Sequence, residues 1–498
     1  MWRASEIRRP CLALIIIIAA MALRPGDSPW FFDMSRNFNL AIQFNATPSH
    51  PLGLSLPFTP SPYALKGTHG IRYGPVPVWI DQVFLAFTHN LLTMTVIRTV
   101  VFSLLTSLGL LWLTQLIRVT PWLAVVAMLS PWMWYYSREL WDNSLTIPFT
   151  ALLLPAYGQF LKSRRAWPLC LAVVCAALTC LVHLIVVPFL AVLALHLLFF
   201  ESRLLLKFKW PILATVLAML ALSAPYLHYA LTFHGSGVPQ YASRFGGWIF
   251  PLLDAQHLTA KSIGYFLEEN FQNIHPAPLR YLFTLARLFT YIAFIACWIG
   301  MIMAIPLARR AFGLRDKADV LDHLCLIGLV TFLFQTLFDG LEHVSFHPHY
   351  YNTTWIVYVM FAWIGFNAIP RWFGSQSLIA RLLIPIYAAC LLFVQIIIAW
   401  QISRNSGGKG DHYNAILSNQ IEVATEMNRF STASPIDIQV QYWTERPDTL
   451  PVLRKLMPTP PGLLPTRQLV VRFRDAFPGD AKVIVENQPL GDIPTTQP

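Results

Sequence analysis

The sequence predicts an all-α polytopic membrane bundle of about eleven transmembrane helices, with interfacial helices in its first outer loop and a small α/β module at its C-terminus. Composition is the first reason: 55% of the 498 residues are hydrophobic, 12% are charged, and the mean hydropathy is +0.51, beyond what a water-solvated globular surface allows. The second is that apolar runs able to cross about 30 Å of hydrocarbon recur along the first 400 residues. The third is the placement of Lys and Arg in alternate short loops.

In chain order, spans are expected near 11–24, 93–117, 120–136, 144–161, 167–183, 184–200, 210–229, 281–307, 321–341, 352–370 and 380–402. Backbone groups in lipid must bond within their own segment, so these runs are helices; the alternating ten-residue strands of a barrel are absent. The first run also fits a cleaved signal peptide, having a basic start, an apolar stretch and small residues. The acidic segment beyond it suits a membrane-held loop and favours an anchor.

Basic clusters at Arg3/Arg8/Arg9, Lys162/Arg164/Arg165, Arg203/Lys207/Lys209, Arg309/Arg310/Arg315/Lys317 and Arg371/Arg381 all fall inside if the N-terminus is cytoplasmic. Segments 25–92, 137–143, 230–280, 342–351 and the tail after 403 then lie outside. A compact single chain of this kind suits a bacterial inner membrane, with a periplasmic C-terminus. The net charge of +11 is largely those inside clusters, so nucleic acid need not be invoked.

All seven cysteines (11, 170, 175, 180, 297, 325 and 390) sit in apolar runs, which argues against a disulfide framework or a thiolate zinc site. Polar exceptions within or near the spans are few: His183, His196, Asp322, Asp339, Glu342 and Arg98. A lone histidine in such a place is more often a satisfied packing residue than a ligand.

Polar residues concentrate instead in the first outer loop, about 68 residues long. It begins Gly26-Asp27-Ser28-Pro29-Trp30-Phe31-Phe32-Asp33, which puts the Asp27 carboxylate near the membrane surface, and its aromatic side suits an interfacial helix. A proline-stiffened stretch, Thr47–Leu65, follows. The third part, Gly70-Ile71-Arg72-Tyr73-Gly74-Pro75-Val76-Pro77-Val78-Trp79-Ile80, makes a turn before DQVFLAFTHN, a segment too short to span. After the third span comes Ser137-Arg138-Glu139-Leu140-Trp141-Asp142-Asn143. Arg138 and Asp142 are four apart and on a helix would share a face and could pair; the alternative is an aromatic belt with a surface ion pair.

These pieces, in this order, resemble the GT-C superfamily of membrane glycosyltransferases, of the protein O-mannosyltransferase and lipid A aminoarabinose transferase type. A short first span, an acidic residue opening a long outer loop, a Gly-Pro-aromatic turn before the second span and Ser-Arg-x-x-Trp-Asp after the third carry the resemblance. His347-Pro348-His349-Tyr350-Tyr351 resembles the family's later His-Tyr segment. The likeness covers residues 1–402; many members carry Asp-Glu where Asp27-Ser28 stands, leaving Asp33 as the other nearby carboxylate.

The resemblance implies transfer of a sugar from a polyprenyl-phosphate donor to a glycan, lipid or protein acceptor at the outer face. Asp27 is then the candidate base that takes the acceptor hydroxyl's proton, and Asp142 the second catalytic carboxylate, which could orient Arg138, help hold a metal or bind a sugar hydroxyl. Arg138 and Arg72 are the candidate cations for the departing phosphate, a task a divalent metal ion would also serve. Tyr73, Asp33, Trp141, His347, His349 and Tyr350 complete the expected substrate-binding set. Trp30, Trp79, Trp132, Trp134 and Trp141 suit the mouth of a groove for the lipid tail, as they would any aromatic belt.

Loop 230–280 either caps the site or merely connects two spans. Residues 403–498 turn polar after Gly407-Gly408-Lys409-Gly410; a helical stretch near 413–429 and the runs IDIQVQYW, RQLVVRF and KVIVE predict a small extracytoplasmic α/β module. Two rival functions share the topology. A transporter or flippase of lipid-linked saccharide needs a polar path through the bundle and no Asp27; a saccharide ligase or polymerase would rely on a large late outer loop.

Overall fold

The computed structural model describes residues 4–28, 30, 32–46, 74–232, 277–313, 318–342, 348–372, 378–405, 416–430, 467–473 and 483–489. These residues are predominantly helical. The helices are α1 (Ala4–Ala22), α2 (Phe32–Ala46), α3 (Val76–Phe87), α4 (Leu91–Leu116), α5 (Trp122–Met128), α6 (Pro131–Tyr136), α7 (Thr146–Ser163), α8 (Ala166–Val182), α9 (Val187–Phe200) and α10 (Ser202–Lys207). They continue as α11 (Lys209–Thr232), α12 (Ala277–Gly313), α13 (Val320–Glu342), α14 (Trp355–Trp372), α15 (Leu378–Asn405) and α16 (Leu417–Phe430).

Among the described residues, five helical segments are long and apolar enough to cross a membrane: Leu91–Leu116, Asn143–Ser163, Tyr291–Gly313, Val320–Leu337 and Leu382–Trp400. Many large apolar side chains on the outer faces of these helices, such as Leu104, Leu108, Ile302, Leu333 and Ile396, are exposed, which is stable only with lipid against them. The chain is therefore a membrane protein built as a helical bundle.

Local sequence explains the helix boundaries. Asn90 caps α4, its side-chain oxygen accepting from the backbone N–H groups of Leu92 and Thr93 at 3.0 and 3.1 Å. The run 120–136, expected as one span, is instead the two short helices α5 and α6. Pro131 cannot supply a mid-helix N–H but suits a first helical position, and Ser130 caps the new helix by accepting from Met133 N at 3.3 Å. Neither piece reaches half of the bilayer core at 1.5 Å per residue.

In the packing, α7 is the most enclosed of the five long apolar segments and lies against α4, α8 and α14. The largest contact joins α12 to α14. There Gly300 sits on the Phe361 carbonyl and Gly365 on the Ala296 carbonyl, so a side chain at either position would enter the facing backbone. Where lipid tails remove the hydrophobic drive for helix pairing, such close backbone approach is what holds two helices together.

On the expected outer side, α2 and α3 pack on each other, linked by the Asn45 and Gln82 side chains at 3.2 Å. The apolar side of α2, Met34 and Phe38, is buried in the protein core. In the C-terminal tail, α16 is joined by β1 (Arg467–Phe473) and β2 (Val483–Pro489), an antiparallel pair with Arg467 opposite Pro489 and Phe473 opposite Val483. The run IDIQVQYW and loop 233–276 lie outside the described residues.

Candidate functional site

The site is built on a tight turn that ends α1. Arg24 adopts a left-handed backbone (φ 54°), which costs an L-residue about 1–2 kcal/mol and turns the chain into the 3-10 turn Pro25–Asp27. The turn is held from a distance. The Arg138 guanidinium donates from Nη2 to the Leu23 and Arg24 carbonyls at 3.2 and 2.7 Å, and Ser28 Oγ donates back to the Arg138 carbonyl at 2.9 Å. Trp134 lies under the same guanidinium, 4.4 Å from ring centroid to Cζ.

Asp27 thus faces two cations. Its Oδ2 is 2.9 Å from Arg24 Nε, and Arg138 adds further attraction. Burial nonetheless dominates and holds its carboxyl above the usual carboxylate range, with Arg24 and Arg138 pulling the other way. Arg24 itself is 57% exposed, so one cation of the group reaches solvent.

A second, deeper cluster lies behind the 137–145 segment. Arg98, near the start of α4, donates from Nη1 to Asp81 Oδ1 of α3 at 3.1 Å and from Nη2 to the Trp141 carbonyl at 2.8 Å. Both side chains of the pair are at most 3% exposed. Asp142 and Glu139 face the same guanidinium. Burial pushes the Asp81 carboxyl up to about 7 against the attraction of Arg98, with Asp142 adding to the rise. Glu139 is raised well above its ordinary value by burial, a rise that Tyr135 and Arg98 offset and Asp142 reinforces. Asp142 Oδ1 accepts from Asn143 N at 2.8 Å and so starts the 3-10 turn Asn143–Leu145, which leads into α7.

Arg138 and Asp142 do not share a helix face. Helix α6 ends at Tyr136, and between 138 and 142 the chain is non-helical. It sends Arg138 towards residues 23–28 and Asp142 towards Asp81 and Arg98. Trp141 is buried, and its carbonyl is the acceptor for Arg98 and for Ser144 Oγ.

The late segment joins here too. The 3-10 turn Pro348–Thr353 packs on the Asn143–Leu145 turn, with Asn352 Nδ2 donating to the Asn143 carbonyl at 3.5 Å. His349 and Tyr350 belong to this turn and Asp33 to α2, although their side chains lie outside the described residues; Arg72, Tyr73 and His347 lie outside them entirely. Gly74, next in the expected turn, bonds the Val182 carbonyl at the end of α8 through its N–H at 3.3 Å.

Sequence reasoning brought out Asp27, Arg138, Trp141 and Asp142 and missed Arg24, Asp81 and Glu139. Arg98 was noted only as a polar exception. A charge within an apolar helix was the available signal for Asp81 and Arg98. Away from this site, His196 bonds Tyr157 Oη at 2.9 Å and His323 Nδ1 at 3.0 Å, and His183 Nδ1 accepts from Ile185 N at 3.2 Å, as satisfied packing residues do. Among the described residues, no group of three or more His, Cys, Asp or Glu side chains is placed to hold a metal ion.

An apolar pocket opens beside α6, lined among others by Ser130, Trp132, Trp355, Trp363, Phe366 and Tyr387. Helix α6 thus carries Trp132 into the pocket and Trp134 beneath Arg138. In comparisons with known proteins, no family model matches this chain and no curated protein is significantly similar to it.

Proposed function

We propose that this protein is a membrane glycosyltransferase of GT-C type that moves a sugar from a polyprenyl-phosphate donor to an acceptor at the outer, periplasmic face of a bacterial inner membrane. The observation that carries this reading is the convergence of Asp27 with Arg138, residues 111 positions apart that each lie in a segment resembling a motif of that family. In this reading the runs of the sequence supply about eleven crossings, with α5 and α6 together taking the place of one broken crossing. Residues 403–498 form the extracytoplasmic module.

Asp27 is the general base. An acceptor hydroxyl becomes acidic as it attacks the anomeric carbon, and a partly buried carboxylate of raised basicity takes its proton. Arg24 is the cation for the departing lipid phosphate, because its side chain reaches solvent while Arg138 Nη2 is engaged by two carbonyls. A phosphate that draws Arg24 away also releases Asp27 from its ion pair. Arg138 fixes the turn, and Asp142 acts through Arg98 and the Asn143–Leu145 turn as a positioning residue. The apolar pocket beside α6 suits the donor's hydrocarbon tail. A divalent metal would stabilise the same phosphate charge, and no step here needs one.

The test is sugar release from polyprenyl-phosphate sugars by the purified protein with candidate acceptors. Native protein turns over; Asp27→Asn releases no sugar while keeping its fold, and Asp142→Asn turns over more slowly. Unchanged turnover in Asp27→Asn removes Asp27 from the mechanism.

A further inference from the structure

The start of the C-terminal tail is packed onto the Asp27 turn. The N–H of Leu417 donates to the Ser28 carbonyl at 2.8 Å, and Gln420 Nε2 donates to the Trp30 carbonyl at 2.7 Å. Ile416, Leu417 and Ala424 are buried in the same apolar core as Met34, Phe38 and Trp132. Ser418 lies so close to Gly26 that a Cβ on the glycine would stand 2.7 Å from Ser418 Cβ, so the turn must carry glycine for α16 to approach. The helix also touches both strands of the tail.

These contacts fall at Gly26, Ser28 and Trp30, on either side of Asp27, and Arg138 holds the start of the same turn. A turn with a left-handed arginine at its start stays in that conformation only while its surroundings fix it. From this geometry we infer that α16 is the second half of a clamp on the Asp27 turn, and that Gln420 is a positioning residue for the Asp27 carboxylate. The tail is therefore part of the wall of the site. The inference rests on the sugar-transfer reading only for its effect on turnover; the clamp itself is testable without it.

Two measurements on the full chain decide the matter. The first is limited proteolysis of α16: in Gly26→Val the added side chain meets Ser418 and displaces the helix, so cleavage within 416–430 is severalfold faster than in the native protein. Native resistance to cleavage in Gly26→Val overturns the packing. The second measurement is the rate at which a water-soluble carbodiimide labels Asp27, followed by mass spectrometry. Gln420→Leu raises the rate severalfold over native. Gln420→Glu raises it at pH 7.5 and returns it to the native rate at pH 4.5, where the protonated carboxyl again donates to the Trp30 carbonyl; Gln420→Leu is not rescued by acid. Native labelling rates in Gln420→Leu overturn the positioning role. If both measurements come out as expected and the native protein releases no sugar, the functional reading fails and the clamp stands.

Discussion

Replacing Arg98 with Met is the sharpest single perturbation of the deeper cluster. The guanidinium is buried, bonds Asp81 Oδ1 at 3.1 Å and the Trp141 carbonyl at 2.8 Å, and faces Asp142 and Glu139. Removing one partner of such a pair costs about 3–5 kcal/mol, because the carboxylates it leaves must either stay charged without it or take up protons. The lost bond to a main-chain carbonyl, about 1.5–3 kcal/mol for a charged donor, overlaps with that cost and does not add to it. Unfolding of the purified protein in a denaturing detergent series, followed by tryptophan fluorescence, measures the loss. Combining Arg98→Met with Asp81→Leu is expected to recover part of it, since Asp81 is then no longer left buried without its cation, while Asp142 and Glu139 remain. A loss below about 0.5 kcal/mol for Arg98→Met, the size expected of an exposed residue, would refute the buried-network account.

Two further expectations follow from the same cluster and its neighbours. Asp81 binds its proton more tightly in the folded state, so stability is fullest below the unfolded pKa of 3.8 and falls as pH rises through about 7. Asp81→Asn is expected to flatten the unfolding midpoint over that window, and an unaltered pH profile would contradict the assignment. Arg138→Lys keeps a charge but cannot span two carbonyls in the same way; turnover is expected to fall at least tenfold, measured by sugar release, with the fold retained.

The bundle was legible where one physical signal sufficed. The uninterrupted apolar run at 93–117 became α4, and the run at 144–161 became α7, led into by the 3-10 turn that Asp142 starts. The run at 120–136 misled because hydropathy counts Pro131 and Ser130 as two residues among many, while helix geometry makes them a boundary. Asp27 and the Arg138–Asp142 segment stood out as charges at the ends of apolar runs. The direction in which each side chain points was not legible, since it follows from where α6 stops. Asp81 was hidden within a segment read as an interfacial helix, and Arg24, the last residue of the first expected span, had no motif to mark it. The contact of Gln420 with Trp30 spans 390 residues and has no local signature in the chain.

The position of the donor's lipid phosphate decides whether Arg24 and Asp27 do this chemistry. A cryo-electron microscopy map of the protein with a polyprenyl-phosphate sugar bound measures this directly. The expected result places the phosphate oxygens beside Arg24 and the anomeric carbon towards Asp27, with the tail running past Trp132. A donor phosphate resting away from residues 24–28, or on the other face of the bilayer, would contradict it.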